Sequence, residues 1–394
     1  MGRMRETLHD ALRQTDAVLL ALCTASTLYG MVLIASATNF LGTFKYIAVQ
    51  GLGLLIGLVL YFFLSSIDIF ELAKKWKWLL GFNVGFILLL LTPFGQTRGG
   101  NRAWLGVNDI GKSLGIDFLR YFPVTVQPAE VVKVFFIVLL AYQLALLNDR
   151  RDLRRFENVI QPTAHMLFMV GLIVVISGDA GSALVYLFIF VCMVFAAGMA
   201  KRWLALGLGG GAAAFLAVWK LDLLPGYMRD RFLAVLDHSY QPDDAGFQQT
   251  RGLLALGSGE LTGQGLFHGA QTQSSNAWSI PERQTDFIFS VCGEELGLLG
   301  CALVIVLLLA IVVRCLLVAR DAATPMESYV CVGMASMLIF QTIANIGMCL
   351  FLMPVIGLTL PFFSYGGSSI VTLFAAMGIV SGVKKRSRPE WLTN

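Results

Sequence analysis

The chain has 394 residues, 57% of them hydrophobic and only 14% charged, with a mean hydropathy of +0.73. So few polar side chains cannot cover a soluble protein of this length, which excludes a soluble globular class and predicts an all-α polytopic membrane protein. A net charge of +4 is too small to suggest nucleic acid, and seven cysteines scattered in or beside apolar stretches, with no CxxC pair, read as packing residues.

A segment needs roughly 20 apolar residues to cross the hydrocarbon. By that rule about ten spans are predicted, at 17–37, 45–64, 78–94, 127–147, 160–178, 182–199, 203–220, 286–316, 326–353 and 364–383. Residues 1–16 are polar and lead straight into the first span, so no cleaved leader is expected. Basic residues set the orientation. Arg3, Arg5 and Arg13 precede the first span; Lys74, Lys75 and Lys77 follow the second; Arg150, Arg151, Arg154 and Arg155 follow the fourth; Lys201 and Arg202 follow the sixth; Arg314 and Arg320 close the eighth; Lys384, Lys385, Arg386 and Arg388 follow the tenth. All fall on one side if the span count is even and both termini (1–16 and 384–394) are cytoplasmic.

Two polar segments are then external, Gly95 to Val126 and Leu221 to Thr285. The second is far longer than a helix connection needs, and such loops carry function. It holds Arg229, Arg231, Glu282 and Arg283 and a glycine-rich run, Gly257 to Gly269. The run lacks the GK[ST] of a phosphate loop; it reads as tight turns or as a backbone nest for a pyrophosphate. His238 and His268 lack ligand-like spacing and read as surface histidines.

The loop passes into the eighth span through PERQTDFIFSVCGEELGLLG (Pro281 to Gly300). Asp286 is either a helix cap or a carboxylate held at the mouth of a membrane cavity. Glu294 points nearer its side than Glu295, which is expected to bond another helix. Glu130 and Lys133, three residues apart at the start of the fourth span, share a face and can pair, structurally or for function. Asp179, in SGDAGSAL, is a turn residue or points into an external cavity. Pro354, Pro361, Gly366 and Gly367 interrupt the last hairpin, and non-helical backbone at that depth is tolerated only where it is buried or lines a wet cavity.

Three of these stretches carry a resemblance. IPERQTDFIFSVCGEELG, LPFFSYGGSS and VQPAEVVKV resemble, in order, the Thr-Asp-Phe block, the Ser-Tyr-Gly-Gly-Ser-Ser signature and the Gln-Pro-x-Glu…Lys motif of the SEDS family (RodA, FtsW and SpoVE-like) of bacterial shape, elongation, division and sporulation proteins. The likeness covers most of the chain beyond about residue 90. It implies a ten-span, single-domain peptidoglycan glycosyltransferase with a large extracellular loop (221–285). Such a protein sits in the bacterial cytoplasmic membrane and polymerises lipid II at the outer face, with a class B penicillin-binding protein as partner. The resemblance puts the family's essential aspartate at Asp286 and its motif residues at Glu130, Lys133, Asp179, Ser364, Tyr365, Gly366, Gly367, Ser368 and Ser369; these, with Arg229, Arg231, Glu282 and Arg283 of the large loop, are the expected substrate-binding residues. The chain departs from the pattern at Gln284, where the family has His, so that position is no obligatory proton carrier. It departs also at Glu260, at the missing Gln-Pro before Asp179, and in spacing Arg102 from Trp104 by Ala103.

Growth of a glycan needs a sugar hydroxyl to attack an anomeric carbon while a lipid pyrophosphate leaves. Asp286 is the candidate base, with inversion as the simplest course. Lys133, Arg229, Arg231 or Arg283, or a divalent cation (Mg or Mn), would stabilise the leaving group. The competing readings are a lipid II flippase and a scaffold that only positions the penicillin-binding protein. A flippase is opposed by the clustering of charges at the outer end.

Overall fold

In the computed structural model the described residues are 15–98, 100–108, 112, 125–150, 153, 155–238, 240, 244, 246–276 and 279–387. Of the predicted orienting residues, Arg3, Arg5, Arg13, Arg151, Arg154 and Arg388 lie outside them.

Eight helices are long and apolar enough to cross a membrane, and two shorter apolar ones, Trp76–Leu91 and Ala180–Ala196, complete the ten predicted spans. In chain order the helices are α1 (Ala17–Asn39), α2 (Lys45–Ser65), α3 (Ile69–Lys74), α4 (Trp76–Leu88), α5 (Pro128–Arg150), α6 (Phe156–Ser177), α7 (Ala180–Ala196), α8 (Lys201–Lys220), α9 (Gly226–Leu236), α10 (Phe247–Ser258), α11 (Ile288–Arg320), α12 (Pro325–Cys349) and α13 (Gly367–Arg386). Between α4 and α5 an antiparallel ribbon pairs β1 (Gly95–Arg98) with β2 (Asn101–Leu105). Caps explain several boundaries: Asp16, Asp68, Asp179 and Thr324 each accept a hydrogen bond from the first turn they precede. The large loop is itself helical, containing α9 and α10.

The core lies along α5, α12 and α13. Helix α13 packs directly on α2 because glycines on both allow it: a Cβ on Gly378 would stand 2.6 Å from the Tyr61 carbonyl, and one on Gly57 2.9 Å from Phe374 Cβ. By contrast α8 has no buried residue and stands at the rim of the bundle.

Helix α11 differs most from its predicted form. Its 33 residues would reach about 50 Å as one rod, well beyond the ~30 Å of hydrocarbon. It breaks at Gly297, whose φ of 64° and ψ of −161° are not helical. The freed carbonyls of Glu294 and Glu295 accept the N–H groups of Gln264 (2.9 Å) and Gly265 (3.0 Å), and beyond the break Leu298 and Leu299 donate to the carbonyls of Glu260 and Leu261. The glycine-rich run is therefore a plug docked in the break, and these amides are taken up by α11 rather than left for a pyrophosphate. Both glutamates fasten the same loop. Glu294 accepts from Gln271 N, Thr272 N and Thr272 Oγ1, while Glu295 accepts from Ser36 of α1 and from Gln273.

One face of the bundle is closed by ion pairs. Asp16, fully buried, meets Arg314 at 2.8 Å and Lys384 at 3.0 Å, and Glu327 meets Arg386 at 2.8 Å. These residues come from α11, α12, α13 and the start of α1, so the N-terminal cap and the end of the last helix share a face, as an even span count requires.

Candidate active site

Asp286 lies in the turn 281–287, on the face opposite the Asp16 cluster. Glu282 takes a left-handed φ of 45°, which lets its carbonyl accept the N–H groups of Thr285, Asp286 and Phe287 at 3.1, 3.1 and 3.3 Å. The next carbonyls are then held one after another by distant parts of the chain. Gln284 O accepts from Tyr365 N (2.8 Å), Thr285 O from Ser364 Oγ (2.6 Å) and Asp286 O from Asn345 Nδ2 (2.8 Å). Asn345 also donates to Leu358 O (2.7 Å), and Gln50 of α2 bonds Ser364 O and Gly366 N. The Ser-Tyr-Gly-Gly segment thus works as a clamp on the backbone of the turn.

With the backbone fixed, the Asp286 carboxylate accepts no hydrogen bond among the described residues. A Cβ on Gly357 would lie 3.9 Å from its Oδ2, so the backbone passes close by at a position with φ of +69°. Asp286 keeps partial access to solvent, yet the protein packed around it pushes its pKa up from 3.8 to about 7. Burial is the main cause; Glu282 adds to it, Arg231 opposes it and Asp179 adds further. A carboxylate raised toward neutrality and without a hydrogen-bond partner among the described residues is suited to taking a proton.

The other candidates divide by what already occupies them. Arg231 sits over Tyr227 (5.9 Å) and donates to Val355 O (2.8 Å), with no carboxylate partner among the described residues. Arg229 is paired with Asp222. Arg283 is buried and points its guanidinium at the carbonyls of Ile280, Gln271, Thr272 and Ser274, above the Phe40 ring. Glu282 is exposed and accepts from Thr285 Oγ1. Lys133 and Glu130 form a buried pair at 2.6 Å. Asp179 caps α7, accepting from Ser182 N (2.9 Å) and Ser182 Oγ (2.7 Å), and also takes Gln127 Nε2 at 2.9 Å. Gln127 N donates to Ser368 Oγ, so one glutamine ties the Asp179 turn to the start of α13. Gly366 and Gly367 begin that helix, and Ser369 lies in its first turn.

Sequence reasoning gave no role to Gln50 or Asn345, and quoted Gln127 only within the VQPAEVVKV stretch. The available signal was a polar side chain inside an apolar segment: Gln50 and Asn345 are completely buried, and a buried amide must find partners. Among the described residues no group of three or more His, Cys, Asp or Glu side chains stands ready to hold a metal ion.

The family described as cell cycle protein, FTSW_RODA_SPOVE, matches residues 16–389. A protein of Geobacter sulfurreducens named "Probable peptidoglycan glycosyltransferase FtsW" is 32% identical over 384 residues, covering 94% of this chain and 95% of that one. Stage V sporulation protein E of Bacillus subtilis is 32% identical over 336 residues, covering 84% and 85%. Among solved structures, a chain of a peptidoglycan synthase complex described as coordinating polymerization and crosslinking superposes with a TM-score of 0.76 at 30% identity, covering 95% of this chain and 99% of that chain. The Thermus thermophilus rod shape determining protein RodA superposes with a TM-score of 0.66 at 27% identity, covering 95% and 98%.

Proposed function

The chain belongs to the FtsW, RodA and SpoVE family, and on that footing we propose a mechanism of glycan growth centred on Asp286. The chain is an integral membrane peptidoglycan glycosyltransferase. The substrate is lipid II, bound where the turn 281–287, the Asp179 turn and the Ser364–Ser369 segment meet. This face is the outer face of the cytoplasmic membrane, both termini being cytoplasmic. The lipid tail lies among the spans.

In the ionised state Asp286 takes the proton of the acceptor sugar hydroxyl as that oxygen bonds the anomeric carbon of the donor. The bond from that carbon to the pyrophosphate oxygen breaks, the lipid pyrophosphate leaves, and the configuration inverts. The proton passes from Asp286 to water at the solvent side of the turn. Arg231 is the cation placed for the leaving charge, since Arg229, Arg283 and Lys133 are already engaged. The described residues include no group of three or more metal-ligating side chains; a divalent cation (Mg or Mn) brought with the pyrophosphate would supply further positive charge to the leaving group, and titration with EDTA measures that contribution. Glu130, Lys133, Asp179, Ser364 and Ser368 hold the walls of the site in register. A class B penicillin-binding protein is the crosslinking partner, a reading supported by the likeness to the synthase complex.

The carrying observation is a backbone-clamped carboxylate that accepts no hydrogen bond among the described residues and that burial pushes up toward neutrality. The test is polymerisation of fluorescent lipid II by purified protein beside Asp286→Ala, each with and without the penicillin-binding protein. The variant should fold, bind the partner and lose at least about 100-fold in rate. Strands from the variant at the wild-type rate would remove Asp286 as the base. No strands from either protein would favour the flippase or scaffold reading.

A further inference from the structure

A cavity lies in the half of the bundle away from Asp286. It has a volume of about 410 Å³, within the ~300–1,000 Å³ of small-ligand sites, and is enclosed by α4, α5 and α6. Its walls are Leu80, Leu139, Leu146 and Phe168, with Trp76 at the mouth. Residues 139–147 of α5 rise about 12 Å, so the cavity runs from the end of α5 that carries Arg150 to about mid-membrane. That end is remote from the active site, because Gln127 and Glu130 occupy the opposite end of the same helix. It faces the same side as the Asp16 cluster, since Arg386 of that side donates to Ile67 O just before α3 and α4.

Its surroundings select an occupant. Trp76 is 43% and Phe168 50% exposed, so the mouth opens sideways onto hydrocarbon, where the bilayer itself supplies what enters. The wall is apolar apart from Tyr142, Gln161 and the pair Gln143–His165, which bond each other at 3.0 Å and leave His165 Nε2 as an unmet polar atom. Cations flank the wall helices at this end: Lys75 precedes α4 and Arg155 precedes α6, and Lys77 Nζ lies over the ring of the lining residue Trp76 at 5.7 Å. Lys75 and Arg155 are exposed, with no ion-pair partner among the described residues. An apolar slot beneath unpaired cations matches a lipid with a negative headgroup.

We propose that this cavity is a binding site for an anionic phospholipid of the leaflet on the Asp16 side, one acyl chain filling the slot between α4, α5 and α6 and the phosphate resting on Lys75, Lys77 and Arg155. The site is separate from the glycosyltransferase centre and joins three helices that otherwise leave a void.

Native mass spectrometry of the purified full chain, exchanged into detergent with either phosphatidylglycerol or phosphatidylcholine, tests it. Phosphatidylglycerol should be retained in preference. The variant with Lys75→Gln and Lys77→Gln should fold and lose that preference, at about fivefold per charge removed, while Leu146→Trp should fill the slot and reduce retention of both lipids. Equal retention of the two lipids by the wild type, or an unchanged preference in the charge variant, overturns the proposal. So does displacement of phosphatidylglycerol by an equal amount of undecaprenyl phosphate, which would assign the slot to a polyprenyl carrier.

Discussion

Asp286 combines two demands that pull against each other. Between pH 3.8 and about 7 the folded chain keeps the Asp286 proton while the unfolded chain has released it. Folding stability therefore falls as pH rises through that window, and the ionised form that the proposed mechanism uses is the less stable one. Asp286→Asn should raise the Tm at pH 8 relative to wild type and leave it nearly unchanged at pH 4; an equal shift at both would mean that the carboxylate is not perturbed. Polymerisation by the wild type should rise with pH to a midpoint near 7. Arg231→Ala removes the one nearby charge that favours ionisation, so it should move this midpoint upward as well as slow the reaction. The sequence singled out Asp286 as a carboxylate at a membrane boundary. It offered four cations of equal standing, and only their partners (Asp222, a ring of carbonyls, Glu130) separate Arg231 from the rest, because pairing is a tertiary fact that residue type does not carry.

Among the elements, the broken helix and the loop that plugs it form one unit. Gly297 has a backbone conformation open essentially to glycine alone, and a Cβ there would stand 2.5 Å from Gly263 N. Gly297→Ala should lower stability by roughly 3 kcal/mol or more in thermal unfolding, and should expose residues 257–269 to limited proteolysis. Unchanged protection of that run would separate the loop from the break. The ten spans were readable because apolar runs of the right length have few other uses. The break was not, because GEELGLLG scans as continuous helix and its cause is hydrogen bonding with residues 30 to 38 positions upstream. The clamp on the turn was half readable. The stretch from Pro354 to Gly367 stood out by its prolines and glycines, but which carbonyls Ser364 and Asn345 hold depends on α12 and α13 being packed. Ser364→Ala frees Thr285 O, and by the sensitivity of catalysis to small misplacements it should lower kcat about tenfold or more with little change in KM. A matched loss in KM would instead make Ser364 a substrate contact.

At the scale of the whole molecule, two faces of the bundle do different work. One holds the Asp286 turn, and the other is closed by Asp16, Arg314, Lys384, Glu327 and Arg386. Burial alone would raise the Asp16 pKa, but Arg314 and Lys384 outweigh it and hold the carboxyl below its ordinary 3.8. Its stabilising effect is therefore complete at neutral pH and is lost only as pH falls through that lowered value. Asp16→Ala leaves two cations without their partner and should destabilise the fold by about 3 kcal/mol, read as a lower Tm at pH 7; no change would mean that the cluster is solvated and inert. Arg314, Lys384 and Arg386 are also among the charges from which the sequence assigned the inner side. In the proposed orientation they act first as an address label during insertion, and in the fold they act as rivets. A charge swap designed to turn the protein over in the membrane would therefore also unfasten the bundle, so its orientation and its stability cannot be edited independently.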